Sequence, residues 1–134
     1  MNLVLDSSAL IALLKKEDGW NQVSDLMDNR ANQCCAHAVN LCEVYYDFLR
    51  TRGESVADAI LADFEDAGLL AREDMDHEFW REAGRLKATL RRISLADCFC
   101  AALANKMGAE VVTADHHEFD ALVANGVCRV RFIR

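Results

Sequence analysis

The stretch over residues 2–16, NLVLDSSALIALLKK, decides the fold. After Asn2, Leu3-Val4-Leu5 form a continuous apolar run, as expected of a central strand covered on both faces of a parallel sheet. The run stops at Asp6, where Ser7 and Ser8, a pair suited to helix capping, lead into helical spacing over 8–16. A buried strand passing straight into a helix is the opening of a β-α-β unit. It leaves a carboxylate at the carboxyl end of the strand, which in an open parallel sheet is where ligands bind.

Outward from this stretch, four more β-like runs follow: QCCA (33–36), GLLAR (68–72), EVVT (110–113) and CRVRFI (128–133). Helical stretches over 20–29, 37–52, 55–67, 76–92, 95–107 and 118–125 alternate with them. Gly53, Gly108, Gly126 and the sequence Glu17-Asp18-Gly19 serve as stop signals. The alternation predicts an α/β fold with a central parallel sheet of about five strands. With 134 residues, 52% of them hydrophobic and 28% charged, the chain reads as one globular domain over 1–134. No apolar run approaches the roughly 20 residues that cross a bilayer, and the opening lacks the basic start of a signal peptide, so a cytoplasmic location with no membrane partner is expected. The six cysteines, at vicinal and alternate-residue spacings, suit reduced buried thiols better than a disulfide framework.

Acidic residues recur at the ends of the predicted strands and the starts of the predicted helices. Asp115 repeats the Asp6 arrangement after EVVTA, and Glu118 follows where the next helix is expected to begin. Asp97 is the only charge between Ile93 and Ala104, in the first turn of a helix for which Ser94 reads as the N-cap. Glu43 lies in HAVNLCEVYYDFLR, where helical spacing puts Asn40, Glu43, Asp47 and Arg50 on one face and Val39, Cys42, Tyr46 and Leu49 on another; the first face alone reads as a solvated polar stripe, but a helix that follows the second strand can overhang the crevice at Asp6. Each acid alone has an ordinary reading as a cap or a solvated side chain. Gathered at one crevice, four carboxylates repel one another unless cations neutralise them, and an all-oxygen donor set suits Mg²⁺ or Mn²⁺ better than zinc. Such an ion activates water against a phosphodiester.

The segments VLDSSALIALL, AVNLCEVYY, SLADCFCAALA and VVTADHHEF together resemble the four blocks of PIN-domain ribonucleases, in particular the VapC-type toxins of bacterial toxin–antitoxin pairs. Their order, their spacing and the length of the chain agree as well. The resemblance implies a three-layer α/β/α fold and metal-dependent endonucleolytic cleavage of single-stranded RNA with 5′-phosphate and 3′-hydroxyl products. It places Asp6, Glu43, Asp97 and Asp115 on the family's catalytic, metal-holding acids and Glu118 on its variable additional acid. Asp6, Glu43 and Asp97 would hold a first ion; Asp115, with Glu118, would complete the site or recruit a second. Ser8 and Thr113 match hydroxyl positions lining the pocket, and Asn40 falls near a variable polar position. His116 and His117 lie outside the core pattern and read as surface or substrate-edge residues. The family's partners are an RNA substrate and a cognate antitoxin protein, and its members are homodimers. Leu13, Leu14 and Trp20 are candidates for part of an antitoxin groove, with core packing as the plainer alternative.

Three other readings compete. A haloacid-dehalogenase-like phosphotransferase also uses a strand-end aspartate with Mg²⁺, but its second acid, two residues on, is Ser8 here. A catalytically silent PIN-fold interaction protein would keep the fold and leave the acids unused. A zinc module of Cys34, Cys35, His37 and Cys42 is disfavoured because vicinal cysteines in a strand point to opposite faces.

The chain carries 15 Lys+Arg against 22 Asp+Glu, a formal charge of −7, which at first argues against a nucleic-acid partner. The excess is concentrated in one segment. Residues 54–82 hold ten acids and two bases, whereas residues 83–134 hold eight bases and five acids, three of which are Asp97, Asp115 and Glu118. Arg85, Lys87, Arg91 and Arg92 are therefore candidates for contact with RNA phosphates.

Overall fold

The computed structural model describes residues 1–134. In chain order its elements are β1 (Asn2–Leu5), α1 (Ser7–Lys15), α2 (Trp20–Asp28), β2 (Gln33–His37), α3 (Ala38–Arg52), α4 (Glu54–Asp66), β3 (Leu70–Arg72), α5 (His77–Thr89), α6 (Leu95–Met107), β4 (Glu110–Thr113), α7 (His116–Ala124) and β5 (Arg129–Phe132). All five strands run parallel in the order β3-β2-β1-β4-β5. The chain builds outward from β1 through β2 to β3, crosses the sheet, and resumes beside β1 with β4. The reversal of strand order therefore falls between β1 and β4. Asp6 leaves the first of these strands and Asp115 follows the second.

The period of two in each strand separates two cores. Leu3, Leu5, Cys34, Ala36 and Val112 face α1 to α4, while Val4, Cys35 and Val111 face α5 to α7. Register keeps the faces matched, with Leu3 beside Cys34 and Val4 beside both Cys35 and Val111. Cys34 and Cys35 thus lie in different layers, which removes the zinc grouping, and all six cysteines are free thiols. α6 is the most deeply buried helix, with Cys98, Cys100, Ala101, Leu103 and Ala104 fully covered. Each buried Leu or Phe contributes roughly 1.5–3 kcal/mol by leaving water. No helix is long and apolar enough to cross a membrane.

Several boundaries differ from the sequence reading for local reasons. Asp6 itself caps α1, accepting from Ala9 N–H, and the Ser8 hydroxyl donates back to Asp6, so the serines do not cap the helix. α7 begins at His116, two residues before the expected Glu118, because Asp115 is its N-cap. β3 begins at Leu70, after Gly68 turns the chain at φ +90°. α5 stops at Thr89, where Leu90 leaves helical geometry, so Arg91 and Arg92 lie in a loop. The faces of α3 are also reversed from expectation. Asn40, Val44 and Phe48 point inward, while Cys42, Tyr46 (45% exposed) and Leu49 (39% exposed) face outward. The i, i+3, i+4 pattern identified a stripe on α3 but not the side on which the sheet lies. Leu13 and Leu14 pack against the core, whereas Trp20 is 37% exposed beneath the Lys16 ammonium.

Candidate metal centre

The carboxyl ends of β1 and β4 and the N-termini of α6 and α7 meet at one crevice. Asp6 is 1% exposed, and both its oxygens accept hydrogen bonds. Oδ1 accepts from Ala9 N–H at 2.9 Å and from the Ser8 hydroxyl at 2.8 Å, and Oδ2 accepts from the Thr113 hydroxyl at 2.5 Å. The two hydroxyls are held in turn by backbone, Ser8 accepting from Ala114 N–H and Thr113 from Asp115 N–H. Asp6 is thereby fixed across both central strands. Burial raises its carboxyl to about 6, against the bonds from Thr113, Ala9 and Ser8.

Asp97 occupies the first turn of α6, 7% exposed, and no lysine or arginine pairs with its carboxylate. Ser94 is the N-cap as expected, its hydroxyl oxygen accepting from Asp97 N–H at 3.2 Å. Burial, and then the Asp6 charge, push the Asp97 carboxyl up to about 8 despite Ser94, with Glu118 and Glu43 adding to the rise. Asp115 caps α7 by accepting from Glu118 N–H at 3.1 Å. Oxygens of Asp97, Asp115 and Glu118 lie within 4.8 Å of one another.

Glu43, in the second turn of α3, is near enough for its charge to act on Asp97, but lies outside this compact trio. Burial pushes its carboxyl up, with the Ser7 hydroxyl opposing and the Glu118 charge adding. Its Oε1 is buried without a partner, as is Oδ1 of Asn40. Asn40 is wholly buried and ties α3 to α6 by donating from Nδ2 to Ala96 O at 3.0 Å. All five acids are close enough for their charges to act within the group, Asp6, Glu118 and Glu43 on Asp97 and Asp115 on Asp6. Asp97, Asp115 and Glu118 form the tight set, Asp6 is held by Ser8, Ala9 and Thr113, and Glu43 stands on α3.

The donor set is all oxygen and includes one orphaned buried oxygen, Oε1 of Glu43. None of the ion pairs in the molecule involves these five acids. Such a site fits a hard divalent cation, which would offset the carboxylate charges crowded around Asp97. His116 does not point its nitrogens here: it stacks on Phe132 and bonds Asp120 and the Arg134 carbonyl. Of the four basic candidates, Arg91 and Arg92 are exposed in the loop before α6, and Arg85 pairs with Glu82. Lys87 is occupied by the carbonyls of Arg91 and Ile93. His37, which carried no role in the sequence reading beyond the zinc alternative, caps α3 through Nδ1, bonds the Asp74 carbonyl through Nε2, and stacks against Phe79 and Phe99.

Comparison with known proteins gives the family and the fold. The family model described as PIN domain matches residues 3–124. The chain is similar in fold to VapBC2 from Rickettsia felis, solved bound to a DNA fragment from its promoter, at 20% identity over 98% of each chain with a TM-score of 0.76. It is also similar to VapBC-5 from Mycobacterium tuberculosis, a member of the VapBC family of toxin-antitoxin systems. That match has 25% identity, covers 99% of this chain and 98% of the other, and has a TM-score of 0.63. A third similarity is to VapC20 from Mycobacterium tuberculosis, a toxin that cleaves the sarcin-ricin loop, at 16% identity over 89% of this chain and 94% of the other with a TM-score of 0.69. No curated protein matches the chain.

Proposed function

Because the chain belongs to the PIN domain family, we propose that it is a Mg²⁺- or Mn²⁺-dependent endoribonuclease and the toxin of a VapBC-type toxin–antitoxin pair. The observation that carries this reading is the crowding of Asp97, Asp115 and Glu118 within 4.8 Å. The centre sits at the reversal of strand order and has no lysine or arginine to balance it. A silent interaction protein has no need to keep buried carboxylates unpaired, because each costs stability.

Asp97, Asp115 and Glu118 would hold the ion, with Asp6 and Glu43 reaching it directly or through water. The bound ion would lower the pKa of water and offset charge on the phosphate. The protein's own part is to keep the acids in register. Ser8 and Thr113 hold Asp6 by its oxygens, and Asn40 holds α3 against α6 next to Asp97. Burial and the neighbouring Asp6 charge raise the Asp97 carboxyl to about 8, so a cation held there would be bound with release of a proton. Arg91 and Arg92 offer exposed positive charge beside the N-terminus of α6 to an approaching RNA backbone.

The similarity to VapBC complexes supports an antitoxin partner, whose basic side chain in the pocket would supply the missing counter-charge. A homodimer is part of the same proposal, and the outward Cys42, Tyr46 and Leu49 of α3 are an uncovered apolar surface available to either partner. Expression of the chain alone in a bacterial host is expected to arrest growth with loss of a discrete RNA. Asp97→Ala should relieve the arrest at equal protein level. Arrest that survives this substitution would contradict the assignment.

A further inference from the structure

One peptide group in the loop before α6 is gripped from both sides by full charges. The Lys87 ammonium, from the last turn of α5, donates to the Ile93 carbonyl at 2.6 Å and to the Arg91 carbonyl at 2.9 Å. Glu118, from the first turn of α7, accepts the Ser94 N–H through Oε2 at 2.7 Å. The Ile93 carbonyl and the Ser94 N–H belong to the same peptide. A cation on its oxygen and an anion on its hydrogen polarise it in the same sense, and charge-assisted bonds of this kind are stronger than neutral ones.

Ser94 is the residue from which α6 starts. Its hydroxyl accepts from Asp97 N–H at 3.2 Å and its carbonyl from Cys98 N–H at 3.1 Å, so its orientation sets the turn that carries the Asp97 carboxylate. Glu118 is bound in turn to the cap of its own helix, Asp115. The Glu118–Ser94 bond therefore ties the start of α6 to the start of α7, the two helix ends whose carboxylates repel each other. Lys87 secures the same peptide to α5.

We propose that Lys87 and Glu118 are positioning residues for Asp97: together they clamp the Ile93–Ser94 peptide and hold α6 and α7 at the separation the carboxylate cluster requires. Lys87 then acts within the protein and does not contact RNA. One oxygen of Glu118 serves the clamp, leaving the other for the cluster. The value of the clamp for cation binding rests on the nuclease reading above, but the clamp itself can be measured without it.

The test is amide hydrogen exchange by NMR on the metal-free full chain, with Mn²⁺ affinity by electron paramagnetic resonance as a second readout. Glu118→Ala and Lys87→Met should speed exchange of the Asp97 and Cys98 amides about tenfold or more, leaving the Val4 and Leu5 amides unchanged. Glu118→Gln, whose amide oxygen can still accept from Ser94 N–H, and Lys87→Arg should keep near-parental exchange, and these forms decide the matter if the others fail to fold. Lys87→Met should also weaken Mn²⁺ binding about tenfold, although it removes no ligand. Parental protection in both Glu118→Ala and Lys87→Met, or exchange in Glu118→Gln as fast as in Glu118→Ala, would overturn the clamp. A parental protein that binds no Mn²⁺ would count against the nuclease reading, while the exchange rates would still decide the clamp.

Discussion

In the absence of metal, Asp97 should make the fold lose stability as the pH rises from about 5 to about 7. The unfolded chain releases this proton near the ordinary value of 3.8, whereas burial and the Asp6 charge, joined by Glu118 and Glu43, raise the folded value to about 8. Between those values the folded protein holds a proton that the unfolded chain has lost, so each rise in pH favours unfolding. The contribution is fully favourable below the unfolded value and is lost as pH climbs through the folded one. At about 1.4 kcal/mol for each pH unit, the loss over this interval is about 2–3 kcal/mol, or roughly 6–12 °C in Tm for a chain of this size. Asp6, raised to about 6, adds to the fall in the lower half of the range. The assay is a series of thermal melts in EDTA for the parental chain and Asp97→Asn. The substituted amide cannot titrate, so the variant should gain stability over the parent progressively as pH rises. Asp74, held low by Arg72, and His116, held up by the Arg134 carbonyl, occur in both proteins and cancel. Parallel Tm curves for the two proteins would refute the reasoning.

Three further outcomes follow from the same contacts. Thr113→Val removes the hydroxyl that donates to Asp6 and accepts from Asp115 N–H; it should destabilise the metal-free fold by about 1–3 kcal/mol in denaturant titrations and weaken Mn²⁺ binding about 10- to 100-fold. Asp6→Asn keeps an oxygen to cap α1, so its Tm should stay within a few degrees of the parent while RNA cleavage falls about a hundredfold or more; a comparable loss of Tm would make Asp6 a structural residue. Gly19 sits at φ +90°, and a Cβ there would lie 2.3 Å from the Ile133 carbonyl oxygen. Gly19→Ala should therefore cost about 2 kcal/mol or more, with Mn²⁺ affinity unchanged in the folded fraction.

The strands were legible because parallel strands buried on both faces read as short apolar runs, as in NLVL and EVVT, and the helices because glycines mark their ends. The helix starts were less legible. Asp6 and Asp115 each end a strand and cap a helix, and a single residue doing both looks in sequence like a boundary that could fall one or two residues later. α3 was misread in its faces, since Asn40 at the interior does the work of an apolar residue by bonding Ala96, while Tyr46 and Leu49 lie outside. The acids that approach one another were identified individually from their places at strand ends and helix starts. Their gathering at one crevice follows from strand-end placement in a parallel sheet, but which three come closest depends on strand order, and β1 and β4 are separated by most of the chain. The role of Lys87 was invisible for a related reason: its partners are backbone carbonyls, which leave no mark in the sequence.

The carboxylate cluster is proposed to hold a divalent cation and to cut RNA. The most direct test is cleavage of a single-stranded RNA by the purified chain, freed of any partner, with Mg²⁺ or Mn²⁺, with EDTA, and as Asp97→Asn. The account predicts cleavage to 5′-phosphate ends with either ion, none in EDTA, and loss of about a hundredfold or more in rate for the variant. Cleavage at the parental rate by Asp97→Asn, undiminished in EDTA, would contradict it.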